Sequence, residues 1–509
     1  MKVCLLDKSD SWSASWKMDA FEQSVIEDLE LEPVLHAASE KDDLIRHVLL
    51  RGFFHPIMDA DALLYRQKTV QTAIGTENLS SQFYQIAQST LHNVRHRDWS
   101  MGKESASYFL SNKAATINLY LQGIIQICKL EERITLDSAP AFCHFFDRMH
   151  EYFGGDGLSG MQTLIRTMLN HHGFSFSGRL GSDLGTEVGE RELDFSNKTW
   201  AKISARFHLN ASRMTFEIPP RDDGAAEALG RYENRISYES ARTLLVIDAT
   251  LRDFFAELEA QAAWLTGVVR LHQMFNRTDC AFPVFSDGIR ATDLKNAVLL
   301  LDPDYHVIGN TVDLEEKHLL ILTGANQGGK TTFLRSLGQA QLMAQSGMFV
   351  LAKEFRTRPF RQLFTHFKRE EDDHVASGRL DEELKRMNEM VDKMPSHSLI
   401  LMNESFASTN EHEGSVIHYQ ITKGLIDAGV SVIGVTHQYE YTQLVQEHLP
   451  NEAVFMRAQR TADGKRPFRL EYGLPRRTSY GLDLFNRAFG EQQKPETFAE
   501  DEEDKQNEI

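Results

Sequence analysis

One stretch constrains the fold more than any other, the run His318–Thr332 with the sequence HLLILTGANQGGKTT. Its apolar residues Leu319–Leu322 are typical of a buried strand, and the pattern breaks at Gly324. After four further residues, Gly-Lys-Thr follows at 329–331, and the residues beyond have the apolar spacing of a helix. This is the G-x-x-x-x-G-K-[ST] phosphate loop in its strand–loop–helix setting, and it predicts a nucleotide site.

The residue types in this loop suit the binding of phosphate. Glycines let backbone N–H groups close on phosphate oxygens, and a helix N-terminus adds the positive end of its dipole. Lys330 has the reach to contact the β- and γ-phosphates, and the Thr331 hydroxyl is a ligand for Mg²⁺. The predicted nucleotide-binding residues are Gly324, Ala325, Asn326, Gln327, Gly328, Gly329, Lys330, Thr331 and Thr332.

The composition is that of a globular protein with more than one domain. The 509 residues are enough for two or three domains, each with its own core. Apolar residues make up 41% and charged residues 25%, which is ordinary. No apolar run approaches the roughly 20 residues needed to cross a bilayer, so no membrane contact is expected. The four cysteines lie far apart without a C-x-x-C pair, which predicts reduced thiols and a cytoplasmic protein.

The charge balance bears on nucleic-acid binding. A net charge of −18 argues against binding through a bulk positive field. A local basic channel stays open as an alternative, because phosphate contacts depend on where the lysines and arginines lie. Part of the negative charge is in residues 491–509, which are predicted to form an acidic, disordered tail.

The pattern of roughly the first 290 residues is mainly helical. Apolar spacing predicts helices over residues 45–53, 60–74, 104–130 and 139–153. The segment 172–220 is rich in glycine and alternating apolar residues, which predicts a β-rich insertion. A helical pattern then runs from Gly224 to about Phe275, and fifty helical residues would span about 75 Å. Such a length is compatible with two packed helices or with one long lever arm.

Beyond residue 282 the pattern changes to alternating strands and helices. Apolar runs typical of strands lie at 319–322, 348–351, 399–402 and 430–435. Because helical intervals separate them, they predict a parallel, doubly wound sheet. Two later runs, Ala453–Met456 and Phe468–Tyr472, flank a turn that contains Asp463-Gly464 and predict an antiparallel edge hairpin.

Polar residues follow two of these predicted strands. Asn403 and Glu404 stand where nucleotide hydrolases carry an acid that steadies Mg²⁺ and a carboxylate that polarises the attacking water. Asn403 can hold a metal-bound water without adding negative charge, and Glu404 is the predicted general base. His437 follows the next strand, at the sheet edge where ligands bind in open α/β folds. The predicted catalytic residues are Lys330, Glu404 and His437, and the predicted Mg²⁺ site is Thr331, Asn403 and Glu404.

Several of these motifs resemble those of the MutS family of DNA mismatch-repair ATPases. The run Thr323–Arg335 resembles the family's phosphate loop, and Leu399–Asn410 resembles its Walker B strand and the loop that follows. Upstream, His55–Arg66 is similar to the start of its helical core, or lever, domain. Shorter motifs fall in the family's order and close to its spacing, at Phe364-Thr365, Ala376–Arg379, Val435–His437 and Ser479–Gly481. The resemblance covers about residues 40–490.

The resemblance implies a multidomain α and α/β fold, in which a helical lever domain precedes a doubly wound P-loop ATPase domain of ABC type. It also implies ATP hydrolysis with Mg²⁺ and a homodimer formed through the ATPase domains, whose closure on ATP the levers would transmit. The predicted divisions are an N-terminal segment (1–40), a core and lever domain (41–290) with a clamp-like insertion near 172–220, an ATPase domain (291–490) and the tail (491–509).

The chain also departs from the family's pattern. The Walker B aspartate is Asn403, and the serine that acts across the dimer falls at Leu380, with Ser377 as a nearby substitute. The aromatic residue that stacks on adenine aligns with Val307, next to His306. About 40 residues precede the lever, too few for a mismatch-recognition domain with its Phe-x-Glu wedge, and the acidic tail leaves no nuclease-type domain. We therefore expect the family's fold and ATPase without its mismatch readout.

Contact with DNA is expected in the β-rich insertion, where the family's clamp would lie. Its basic set with one aromatic is Lys198, Trp200, Lys202, Arg206, His208 and Arg213. Such charges suit phosphate contacts without base readout. A solvated strand face is an equal alternative, because acidic residues stand close by at Glu187, Glu190, Glu192 and Asp194.

Three functional hypotheses follow. The first is a DNA-binding ATPase of repair or recombination type that acts on duplex or branched DNA without mismatch readout. The second is a mechanical ATPase that acts on a ribosome, an RNA or a protein assembly. The third is an interaction protein that binds ATP as a switch and barely hydrolyses it.

Overall fold

The structure is a computed structural model that describes residues 2–8, 16–98, 106–134, 139–155, 157–170, 176–180, 186–190, 223–314, 317–325, 327–369, 378–459 and 467–475. Only the backbone is described for residues 106–110, 164, 166–170, 176–180, 186–190 and 223–242. The chain divides into two compact units. The helical unit holds residues 2–5 and the described part of 78–262, and the sheet unit holds residues 6–8 and the described parts of 13–77 and 263–509.

The described residues of the helical unit contain four helices and most of a fifth. They are α5 (Leu79–Asp98), α6 (Ala106–Cys128), α7 (Pro140–Phe153), α8 (Gly157–Asn170) and α9 (Asp223–Met274). Aromatic rings fill its core, where the ring centroids of Phe83 and Phe145 lie 5.6 Å apart. Gly123 of α6 permits a close approach, because a Cβ there would stand 2.8 Å from the Phe255 ring of α9.

Helix α9 decides between the two alternatives for the long helical pattern. It is one continuous helix of 52 residues, which corresponds to about 78 Å at 1.5 Å per residue. The interpretation as two separate helices is therefore wrong. The residues of α9 from Ala263 onward belong to the sheet unit, where Trp264 is fully buried against Gly52.

The predicted β-rich insertion is described only in part. Strands β1 (Phe176–Leu180) and β2 (Thr186–Glu190) form an antiparallel pair. The basic residues expected to contact DNA, Lys198 to Arg213, lie outside the described residues, as do the acidic tail and Ser479–Gly481.

A six-stranded sheet organises the sheet unit. Its strands are β6 (Leu319–Thr323), β8 (Leu363–Phe367), β9 (Leu399–Asn403), β10 (Ser431–Val435), β11 (Ala453–Ala458) and β12 (Leu470–Tyr472). Their order is β12-β11-β6-β10-β9-β8, and only the β11–β12 pair is antiparallel, as the predicted hairpin requires. Every residue of β6, β8 and β10 is buried, which is typical of parallel strands covered on both faces.

Helices and a smaller sheet accompany the six strands. The helices are α10 (Lys330–Gln345), α11 (Arg379–Lys393), α12 (Glu411–Asp427) and α13 (Tyr439–His448). The smaller sheet has the order β3-β7-β4-β5, with β3 (Val284–Phe285), β4 (Arg290–Leu294), β5 (Asn310–Asp313) and β7 (Glu354–Thr357). A helical N-terminal part is thus followed by a mixed α/β region.

The N-terminal helices belong to the sheet unit rather than to the helical unit. They are α1 (Ala20–Asp28), α2 (Glu32–Ser39), α3 (Asp43–Phe54) and α4 (Ala60–Gly75). Helix α1 begins with a capping box and packs Phe21 against Phe364 of β8. The segment after it is bonded to α10, since Gln339 Nε2 donates to the Leu29 carbonyl at 2.9 Å. The division into two compact units does not coincide with the predicted domain boundaries, which stay a prediction.

One predicted strand is wrong. Met348–Leu351 is buried but forms one isolated bridge, between Val350 and Ala281. Strand β8 was missed by the apolar pattern, because His366 interrupts it.

Two further findings concern membrane-spanning helices and the cysteines. In the part of the chain that the structure describes, no helix is both long and apolar enough to cross a membrane. The four cysteines are present as thiols.

Candidate nucleotide site

The predicted site residues gather at one edge of the six-stranded sheet. The strands end in register: Leu322 of β6 is opposite Val435 of β10, and Val435 is opposite Asn403 of β9. The backbone extends the pairing, because the Thr436 N–H donates to the Leu322 carbonyl at 3.1 Å and the Glu404 N–H donates to the Val435 carbonyl at 2.9 Å. The loops after these strands therefore start at the same level.

The loop between β6 and α10 needs its glycines. Gly324 and Gly329 have φ of 108° and 88°, in the left-handed region that favours glycine. A Cβ on Gly324 would stand 2.9 Å from the Ala458 nitrogen, and one on Gly328 would stand 2.5 Å from the Ala458 Cβ. Gln327 also has a positive φ, of 59°. Asn326 lies outside the described residues. The loop is thus a tight turn in which side chains would collide with β11.

Lys330 lies over this loop. Its Nζ donates to the carbonyl oxygens of Gly324 and Ala325 at 2.7 and 2.9 Å, and the residue is only 4% exposed. Because these bonds fold the side chain back, the ammonium group is held above the backbone that would surround a phosphate. Thr332 lies in the first turn of α10, and its carbonyl accepts from Ser336 Oγ at 2.7 Å.

Two of the predicted metal ligands contact each other. The Thr331 hydroxyl donates to Asn403 Oδ1 at 3.2 Å. This bond joins the start of α10, the helix that follows β6, to the end of β9. In the sheet, β10 lies between β6 and β9. A hydroxyl oxygen and an amide oxygen are both suitable ligands for Mg²⁺.

The third predicted ligand, Glu404, is paired with His437. Glu404 Oε1 lies 3.3 Å from His437 Nε2. The hydrogen bond with His437 lowers the pKa of Glu404, the charges of His437, Lys330 and Lys368 act in the same direction, and partial burial opposes them. The carboxylate is therefore ionised at neutral pH. Lys368 carries a contribution to the site that the sequence patterns did not reveal.

A cavity of about 210 Å³ opens beside this pair. It is lined by Glu404, Ala407, Thr409, Glu411, Thr436, His437 and Gln438. The carboxylate and imidazole thus face a space large enough for water and a small polar group.

The contacts of Asn310 beside the phosphate loop were not predicted from the sequence. Asn310 of β5 donates through Nδ2 to the Phe468 carbonyl at 3.1 Å, and its Oδ1 accepts from the Leu470 N–H at 2.7 Å. These bonds hold Phe468 beside Gly329, where a Cβ would lie 3.5 Å from the Phe468 oxygen. Only the tertiary fold brings these distant segments together.

Four further residues stand at or beside positions where the chain departs from the MutS pattern. Leu380 packs partly buried against the core cluster of the sheet unit. Ser377 lies outside the described residues. Val307 is buried and its neighbour His306 is exposed.

Two protein-family models match this chain. The family described as MutS domain V matches residues 320–494, and the MutS2 N-terminal domain matches residues 58–278. Endonuclease MutS2 of Streptococcus gordonii is 27% identical over 55% of this chain and 36% of its own length. Endonuclease MutS2 of Thermus thermophilus is 32% identical over 38% of this chain and 26% of its own length.

A mouse relative adds to this comparison. MutS protein homolog 4 of Mus musculus is 28% identical over 40% of this chain and 22% of its own length. The chain thus spans about a third of the length of these curated relatives or less. The two domain matches cover both the helical region and the sheet region that carries the candidate site, and the chain belongs to the MutS family.

Proposed function

We propose that this chain binds ATP with Mg²⁺ at the edge of the six-stranded sheet and hydrolyses it. One observation carries the proposal: the Lys330 ammonium and the ionised Glu404 carboxylate lie at the same edge, on loops two strands apart. A phosphate-binding cation and a general base in this relation suit attack of water on a terminal phosphate.

The residues present fit both phosphate and metal. Space around Gly324 and Gly328 is closed to side chains, so the backbone of the loop is what a phosphate would meet. Thr331 and Asn403 offer oxygen atoms within hydrogen-bond distance of each other, where Mg²⁺ would be held. When bound, Mg²⁺ supplies positive charge that offsets the charge of the phosphates.

The chain's own residues account for the proton transfer. Glu404 accepts a proton from the attacking water while the oxygen of that water bonds to the γ-phosphorus. The bond from this phosphorus to the β–γ bridging oxygen breaks at the same time. ADP and phosphate are the products. His437 keeps the carboxylate oriented through its 3.3 Å contact and lies where it would sense the γ-phosphate.

The experiment that tests this proposal uses the wild-type chain. Phosphate release under multiple turnover and binding of a fluorescent ATP analogue are measured with Mg²⁺ and with chelator. We expect saturable release that requires Mg²⁺. Tight binding without release would favour the ATP-switch hypothesis, and absence of both would overturn the proposal.

The wider assembly is also part of the proposal. We infer a homodimer that forms through the doubly wound P-loop domains and closes on ATP, and a role on duplex or branched DNA in repair or recombination. Membership in the MutS family and the names of the relatives support this role. Light scattering with and without ATP would test the dimer.

Filter binding separates the cargo hypotheses. The chain is offered homoduplex, single-mismatch and branched DNA and structured RNA, with and without ATP. We expect binding to DNA with no preference above about tenfold for a mismatch, a difference of about 1.4 kcal/mol. Binding to ribosomes or RNA alone would put the mechanical ATPase first.

Asn403 gives a prediction about the metal. Asn403→Asp keeps the shape of the side chain and its acceptor for Thr331, and it adds one negative charge. We expect the Mg²⁺ concentration for half-maximal hydrolysis to fall by about five- to tenfold, because a carboxylate attracts the cation more strongly than an amide. The measurement is phosphate release across a Mg²⁺ titration. An unchanged or higher Mg²⁺ requirement would exclude Asn403 from the metal site.

A further inference from the structure

The loop after β9 has an unusual backbone. Glu404 and Phe406 both have a positive φ, of 54° and 57°, although neither is glycine. Side chains disfavour this region, so the surrounding structure must hold both residues in place. Phe406 is fully buried, and its ring stacks on that of His366 with the centroids 5.3 Å apart. The direction of Glu404 therefore depends on what fixes residues 404–408, which we name the β9 loop.

The Glu383 carboxylate makes two of the contacts that fix this loop. Its Oε2 accepts from the Phe406 N–H at 2.7 Å, and its Oε1 accepts from the Ser408 hydroxyl at 2.8 Å. The first distance is at the short end of the N–H···O range, as charge-assisted bonds are, and the second is ordinary for an O–H···O bond. Glu383 lies on α11, which carries none of the residues assigned to nucleotide or metal.

Other groups hold the same loop from the sheet. The Ser405 hydroxyl lies 2.8 Å from the His366 carbonyl and 2.8 Å from the His366 Nδ1. Burial lowers the pKa of His366 to about 3, so this ring is neutral. Gln438 donates through Nε2 to the Phe406 carbonyl at 2.9 Å. These contacts come from β8 and from the segment after β10, whereas Glu383 links the β9 loop directly to α11.

We infer that Glu383 is a positioning residue: it holds the β9 loop in the conformation that aims Glu404, so that a displacement of α11 changes turnover without touching the nucleotide. The inference rests on the proposed ATPase function. The described contacts of the Glu383 carboxylate are with the β9 loop, and nucleotide affinity is therefore expected to be independent of Glu383.

Three variants test this inference in the full-length chain. Glu383→Ala removes both acceptors. Glu383→Gln keeps one acceptor for the Phe406 N–H and offers an N–H₂ group to the Ser408 oxygen, so it retains the geometry without the charge. Glu389→Ala is the matched control, an exposed glutamate on the same helix.

Two readouts are needed, turnover and backbone protection. We expect Glu383→Ala to lower kcat by about 10- to 100-fold, the effect of a misplaced catalytic group, with the KM for ATP little changed. Hydrogen exchange of a peptide spanning 404–410 should become faster in Glu383→Ala. Glu383→Gln should restore most of both, and Glu389→Ala should match wild type in both.

The outcomes separate this inference from the ATPase proposal. A kcat for Glu383→Ala within about threefold of wild type, or a KM that rises as kcat falls, would overturn the positioning role. So would an equal loss in Glu383→Gln, which would point to the charge rather than to the loop. If wild type releases no phosphate, the ATPase proposal fails. The hydrogen-exchange measurement still tests Glu383 in that case, because an unchanged exchange rate of residues 404–410 in Glu383→Ala would overturn its role in holding the loop. Should Glu383→Ala not fold, Ser408→Ala removes one of the two bonds, and an unchanged kcat and exchange there would contradict the inference.

Discussion

Replacing Glu404 by Gln is expected to lower the rate of ATP hydrolysis by about 10²–10⁴, the usual contribution of a positioned general base. The amide cannot take the proton from water, although it keeps the size of the side chain and a contact with His437. Binding of ATP should stay close to that of wild type, because Lys330 and the glycine loop are unchanged. Single-turnover phosphate release and equilibrium binding with a fluorescent ATP analogue measure the two quantities separately.

A matched substitution controls for the change of charge. Glu447 is an exposed glutamate near the C-terminal end of α13, the end farther along the chain from His437. Glu447→Gln should hydrolyse ATP at the wild-type rate. If Glu404→Gln also turned over normally, Glu404 would have no role in the proton transfer.

Replacing Lys330 by Ala should remove tight ATP binding. The ammonium group is the charged partner expected for the phosphates, and truncation of such a buried partner costs about 2–5 kcal/mol. This is a loss of affinity of about 30- to several-thousand-fold. The substitution also removes two bonds that brace the loop, to the Gly324 and Ala325 carbonyl oxygens. Isothermal titration with ATP and Mg²⁺ gives the affinity.

The control for Lys330 is an exposed lysine on another helix of the sheet unit. Lys423 is exposed on α12 and pairs with Asp427 one turn later. Lys423→Ala should bind ATP as wild type does. Binding of ATP by Lys330→Ala with wild-type affinity would contradict the assignment of the loop as the phosphate site.

The strands were predictable where burial and periodicity point the same way. Leu319–Leu322 is apolar at each position and is followed by a glycine turn, so both its type and its end could be located. Met348–Leu351 has the same apolar pattern, yet it lies buried with one isolated bridge. An apolar run indicates that a segment is buried. Whether the segment forms a strand depends on a pairing partner that only the tertiary fold supplies. The smaller sheet has short strands and was therefore missed.

The candidate site was predictable where it depends on chain order. Glu404 and His437 each follow a buried strand, and parallel strands bring such residues to one edge. Glu383 could not be found in this way, because it lies inside a charged helix whose neighbours include Asp381 and Glu382. Its bonds with the Phe406 N–H and the Ser408 hydroxyl distinguish it from the exposed acids beside it.

Strand β10 has a consequence for substitutions at this site. It separates β6 from β9 and is hydrogen-bonded through its end to both, by Thr436 on one side and Val435 on the other. Two strand spacings, about 9.5 Å, thus separate the end of β6 from the end of β9. Hydrogen bonds of the main chain set this distance. Exchanging Asn403 for aspartate would therefore add a charge at the end of β9 while the distance between the strand ends stays the same.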